Sequence, residues 1–239
     1  MNRILNWIVF VFFLLGPFCL KAQNVYPNVT PTARYVTSEG EEIEDASEEQ
    51  SAPITGYFSA EVTDQGLYSA HYEWRIFKAG QENAPLVDRF DREMEYTFTQ
   101  SGTFYVQLYV TFVQGTDTIR YPDGGGESFV VSVSQSKLEF PNAFSPNGDG
   151  FNDVYKAKEG YRSIVKFKAT VFTRWGQKVY TWTNPAEGWD GKINGRTARD
   201  GVYYVVVQAE GADGRKFNIR KDVNVLTGYS GEGGTTDAE

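Results

Sequence analysis

The chain has 239 residues, a formal net charge of −8 at pH 7 and one cysteine, Cys19. That acidity argues against a nucleic-acid reader and against docking on an anionic membrane surface. A lone cysteine excludes a disulfide, so stability has to come from apolar cores.

Taken in chain order, Arg3 is followed by an apolar run, Trp7–Phe18, and by a small residue at Ala22. A basic start, an apolar centre and a small terminal residue make a secretory signal peptide. The run is shorter than the roughly 20 residues a membrane-spanning helix needs. Residues 1–22 are expected to be the leader, with cleavage after Ala22 and a mature chain that starts at Gln23. A lipoprotein would need a small residue just before Cys19, where Pro17 and Phe18 stand. Cys19 is therefore read as an apolar leader residue that is discarded.

Residues 24–136 carry 6 Lys/Arg against 18 Asp/Glu, and residues 137–239 carry 15 against 13. Such asymmetry is expected of two modules with different surfaces. In the first, Glu39–Gln50 (EGEEIEDASEEQ) reads as a solvated acidic loop. A strand follows around Ile54–Ala60. His71–Phe77, Met94–Phe98, Thr103–Phe112 and Ser128–Val133 then alternate apolar and polar residues, as half-buried strands do. In the second, strands are expected at Val154–Ala157, Ile164–Thr173, Gln177–Trp182, Val202–Glu210 and Lys216–Leu226. Asp-Gly and Asn-Gly pairs beginning at Asp190, Asn194, Asp200 and Asp213 mark tight turns between them. The fold class is all-β, two consecutive immunoglobulin-like antiparallel β-sandwiches. The boundaries are 23–136 and 137–227, with a polar, glycine-rich tail at 228–239.

Four motifs of the second half stand in a fixed order: PNAFSPNGDGFNDVYK (Pro141–Lys156), RWGQKVY (Arg174–Tyr180), GWDGKING (Gly188–Gly195) and DGVYYVVV (Asp200–Val207). Together they resemble the gliding-motility-associated C-terminal domain, the type B sorting domain of the type IX secretion system of Bacteroidetes. The motif residues are Arg174, Trp175, Gly176, Trp189, Asp190, Gly191, Asp200, Gly201 and Tyr203. In the first half, Tyr96–Val110 (YTFTQSGTFYVQLYV) is similar to the closing strand pair of a PKD or related immunoglobulin-like domain, with Trp74 in the place of its core tryptophan. The Asp-Gly-rich turn usual after that tryptophan is missing, and the chain reads RIFKAGQEN (Arg75–Asn83) there.

Chemistry finds few candidates. Asn147, Asp149, Asn152 and Asp153 could surround a calcium ion with hard oxygen ligands. The competing reading is an Asx-rich turn whose side chains cap their own backbone, and Phe151 falls where a calcium loop wants an oxygen. No other cofactor is expected. Trp175, Trp182 and Trp189 could form a sugar-stacking face, but buried packing explains them more simply. Trp175 and Tyr203, on strand-like runs, are expected to be buried. His71 has no cysteine to activate, and no nucleophile elbow, zinc helix or P-loop occurs. An enzyme is not expected.

The resemblance implies export across the outer membrane and retention at the surface beside a barrel of the PorP/SprF type. Two functions follow. The first is an adaptor or accessory subunit of the type IX or gliding machinery, a reading the small first module favours. In it, residues 137–239 bind the barrel, with the hairpin Val202–Leu226 as the docking edge, while residues 24–136 project away. The second is a small surface adhesin or carbohydrate-binding protein. The polar tail could mask an export signal or bind a partner.

Overall fold

The period-2 alternation of Tyr, Phe, Val and Thr shapes the whole chain. In the structure, a computed structural model that describes residues 26–123 and 126–228, every regular element is a β-strand. The expected leader, its cleavage site, Cys19 and residues 229–239 of the tail lie outside the described residues.

The first half forms β1 (Asn28–Val36), β2 (Glu42–Ile43), β3 (Ala46–Gln50), β4 (Ile54–Thr63), β5 (Ser69–Lys78), β6 (Val87–Arg89), β7 (Glu93–Phe98), β8 (Gly102–Gln114), β9 (Asp117–Tyr121) and β10 (Phe129–Val133). One sheet runs β2-β1-β4-β7. The other runs β3-β10-β8-β5-β6, with β9 also on β8. Phe58 and Phe98 from the first sheet, and Trp74, Ile76, Val106 and Leu108 from the second, face each other in one buried cluster. Trp74 is fully buried, with its ring 5.8 Å from that of Phe58. Emptying such a site costs about 3–5 kcal/mol.

The acidic insert departs from its expected loop form. Glu42–Ile43 and Ala46–Gln50 are strands, and β3 lies parallel to β10 at the sheet edge. In β3 only Ala46 is buried in the core, with Ile43 of β2 packed against it, while Ser47, Glu48 and Glu49 stay in solvent. A strand needs only one anchoring side chain when its partner supplies the ladder.

The second half forms β11 (Ala143–Phe144), β12 (Tyr155–Lys156), β13 (Ile164–Phe172), β14 (Lys178–Trp182), β15 (Gly188–Trp189), β16 (Lys192–Ile193), β17 (Arg196–Thr197), β18 (Gly201–Gly211) and β19 (Lys216–Val225). Its main sheet is β11-β19-β18-β13-β14, and the pairs β12-β15 and β16-β17 complete the layer opposite. Between the layers lie Phe140, Phe144, Tyr155, Val171, Trp182, Trp189, Val205, Val207 and Val223.

The two cores meet at a seam. Ser134 and Ser136, in the connection between β10 and the second core, are buried, and only Gln135 and Lys137 face solvent. The tip of the β18–β19 hairpin reaches across. Ala212 lies in the first core cluster, donates its N–H to Ser163 O (2.9 Å) and accepts from Ser101 N (3.0 Å). Ser163 is fully buried with φ +51°. Its N–H donates to Ser51 Oγ (2.8 Å), and its Oγ accepts from Ala52 N (3.1 Å). Asp213 holds Ser136 through Oδ1 to the hydroxyl (2.7 Å) and Oδ2 to the N–H (3.1 Å). A Cβ on Gly211 would meet Ser136 Oγ at 2.2 Å, so only glycine permits this approach.

Candidate functional site

The motif loops gather at the end of the second sandwich remote from the seam. β13 leaves the seam at Ile164, opposite Gly211, and reaches Phe172 opposite Tyr204. β18 starts at the far end, with Gly201 opposite Val225. Nine strand residues separate the two ends by about 30 Å.

The Asx-rich loop is built around its own backbone. Asp153 Oδ1 and Oδ2 accept from the N–H groups of Gly148 (2.6 Å) and Gly150 (2.8 Å). Asp149 Oδ1 accepts from Phe151 N (2.8 Å), and Asn147 Oδ1 from Asp149 N (3.1 Å). Asn152 has φ +52°, and its carbonyl accepts from Ser145 N (2.9 Å). These oxygens serve an Asx turn. Among the described residues, no group of three or more His, Cys, Asp or Glu side chains is placed to hold a metal ion.

Trp189 is fully buried, with its ring 5.3 Å from Phe144 and 5.2 Å from Tyr203. Its indole N–H donates to Lys192 O (2.9 Å). Asp190 Oδ1 accepts from Lys192 N (3.0 Å). Burial pushes the Asp190 carboxyl up, but the hydrogen bonds from Lys192 outweigh it and hold the group below its ordinary range. Gly191 has φ +75°, and a Cβ there would strike Pro146 at 2.5 Å, so this glycine clamps the GWDG turn against the PNAFSPNG loop. Asp200 Oδ1 accepts from both Thr227 N (2.9 Å) and its hydroxyl (2.6 Å), which ties down the chain after β19 and lowers the Asp200 pKa. Gly201 follows at φ +144°. Tyr203 is half-buried, and its hydroxyl donates to Arg199 O (3.2 Å). Trp189, Asp190, Gly191, Asp200, Gly201 and Tyr203 thus build the scaffold.

Arg174 and Trp175 do not share that role. Trp175 was expected in the core, yet it is 83% exposed. The reason is local: Thr173–Gln177 is a tight turn, with Thr173 N donating to Gln177 O and Gly176 (φ +79°) donating to Thr173 O. Trp175 sits on that turn, where strand alternation no longer sets direction. The Arg174 guanidinium lies 4.9 Å from its ring centroid. The three tryptophans also form no shared stacking face, since Trp182 and Trp189 are buried. The sequence signal for this exposure was available: Thr-Arg-Trp-Gly is a turn.

No curated protein matches the chain. Residues 138–220 match the family model of the CHU_C type IX secretion signal domain, the mark of a protein exported by the type IX system toward the cell surface.

Proposed function

We propose that this protein is a non-enzymatic, exported cell-surface component of the type IX secretion and gliding apparatus. It acts as an adaptor or accessory subunit bound to an outer-membrane barrel of the PorP/SprF type. The observation that carries this reading is the type IX signal domain at residues 138–220. Its motif loops gather at the end remote from the first sandwich, open to a partner. What supports the non-enzymatic part is how the carboxylates are used. Asp149, Asp153, Asp190, Asp200 and Asp213 each accept hydrogen bonds from backbone N–H groups of loops.

The seam refines the expected division of labour. The hairpin Val202–Leu226 offers its outer edge at β19, which β11 covers only at Asn224 and Val225. Unpaired edges invite strand addition. The hairpin tip, by contrast, is spent on the first sandwich. Binding is therefore tested with the whole mature chain against a purified PorP/SprF-type barrel in detergent. Stable association supports the adaptor, and its absence removes it.

One observation favours the adhesin reading. On the outer face of β8, half-buried Tyr105 and Tyr109 stand four residues apart, with Arg75 4.6 Å from the Tyr109 ring and bonded to Glu73 (2.7 Å). Aromatic faces beside such polar groups suit sugars. Polysaccharide binding that is lost in Tyr109→Ala, without barrel binding, would select this reading.

A further inference from the structure

We infer that the partner docks on the apolar face built by Trp175, Phe172, Tyr204 and Val202, and that it offers an apolar pocket ringed by carboxylates. This inference rests on the adaptor reading and moves its contact surface from the β19 edge to the outer face of β18 and β13.

Strand chemistry marks this face as one that is covered. A sheet with one face in solvent alternates apolar and polar residues, and VYYVVV in β18 does not. Val205 and Val207 fill the core, while Val202 and Tyr204 point outward at 44% and 48% exposure. Phe172 stands opposite Tyr204 on β13, which widens the outward row to a second strand. Outer positions this apolar are expected where another surface covers the sheet.

Trp175 is held out on a braced turn. Thr173 Oγ1 accepts from the N–H groups of both Trp175 and Gln177 (3.3 Å each), so the turn is braced on its own side chain. An exposed tryptophan on a braced turn, stacked on an arginine, is the residue type that anchors protein interfaces. Burial inside its own domain does not explain it.

Charge decides the kind of partner. Arg174 precedes Trp175, Lys178 pairs with Phe172 across β14, and Arg220 stands opposite Val206 on β19. The one carboxylate in the same row is Asp222, opposite Tyr204. This basic rim lies on a chain of net charge −8, so a partner with carboxylates around its pocket is favoured and steered into register. The first sandwich cannot cover this face, because the seam holds it at the other end of β13.

The experiment uses the full mature chain and a purified PorP/SprF-type barrel in detergent. Trp175→Ala and Tyr204→Thr should each weaken binding at least tenfold with melting temperatures unchanged. Arg174→Glu should slow association and flatten its salt dependence. Leu67→Ser, at an exposed site of the first sandwich, should bind as wild type. Binding by wild type and Trp175→Ala alike would overturn the face while leaving the adaptor intact. No binding by wild type would overturn the adaptor, and hydroxyl-radical footprinting on outer-membrane vesicles then reads the face itself. Protection of Trp175 relative to the purified chain supports a docked partner; equal oxidation overturns it. Self-association that Trp175→Ala abolishes would make the occupant a second copy and overturn the acidic partner.

Discussion

The hydroxyls of Ser134 and Ser163 lie 2.8 Å apart, although one ends the first sandwich and the other precedes β13 of the second. Around them Ser51, Ala52 and Ala212 complete a buried hydrogen-bonded joint. The joint has no free linker, and parting the two sandwiches would break all of these hydrogen bonds and expose Ala212 at once, so they are expected to behave as one mechanical unit.

Ser163→Ala removes the acceptor of Ala52 N and the partner of Ser134 Oγ. Leaving a buried donor unsatisfied costs about 1–3 kcal/mol. The wild-type chain is expected to melt in a single transition, and the variant to melt earlier. Calorimetry checks both points. Two well-separated wild-type transitions would show that the halves unfold independently.

Acid is expected to weaken the joint. Burial raises the Asp213 pKa, but hydrogen bonds from Ser136 and Arg215 outweigh it and hold the carboxyl below its ordinary range. The folded state therefore binds this proton less tightly than the unfolded chain does. The stabilisation is present above the unfolded pKa of about 3.9 and is lost as pH falls through the lower folded value. Asp213→Asn should lower stability at pH 7 and flatten the acid limb of the stability curve. Parallel curves for variant and wild type would assign the acid sensitivity elsewhere.

Trp189 and Trp175 belong to the same set of motifs but should respond oppositely to truncation. Trp189→Ala empties the second core and should cost about 3–5 kcal/mol. Trp175→Ala, on an exposed turn, should stay within about 0.5 kcal/mol of wild type. Urea titration separates them, and a large loss for Trp175→Ala would contradict its exposure.

These two residues show where reading the sequence succeeds and stops. The β-branched and aromatic run VYYVVV reveals β18, and strand alternation reveals β4, β5, β8, β13 and β19, because each keeps one face in the core. It misses β1, whose Pro31 and polar residues obscure the period, and β3, where Ala46 is the single buried residue. It misplaces Trp175, since alternation ends at Phe172 and the turn sets the direction. The joint leaves no apolar signal at all: it is made of serines, backbone groups and a Gly-Ala-Asp-Gly hairpin tip that reads as an ordinary turn.

For the Asx-rich loop the hydrogen bonds favour the turn over calcium. Calcium and chelator are expected to leave the melting temperature unchanged, while Asp153→Ala, which removes the acceptor for Gly148 and Gly150, should cost about 0.5–2 kcal/mol, as lost caps do. A calcium-dependent rise in melting temperature that Asp149→Ala abolishes would establish the metal site instead.

The type IX signal domain at residues 138–220 implies export toward the cell surface by the type IX route. Export is tested by expressing the full 239-residue chain in a type IX-competent host and in the same host lacking the system, and by measuring surface labelling of intact cells. Labelling is expected only in the competent host, with the protein retained inside the outer membrane in the other. Equal labelling in both hosts, or none in the competent one, would contradict it.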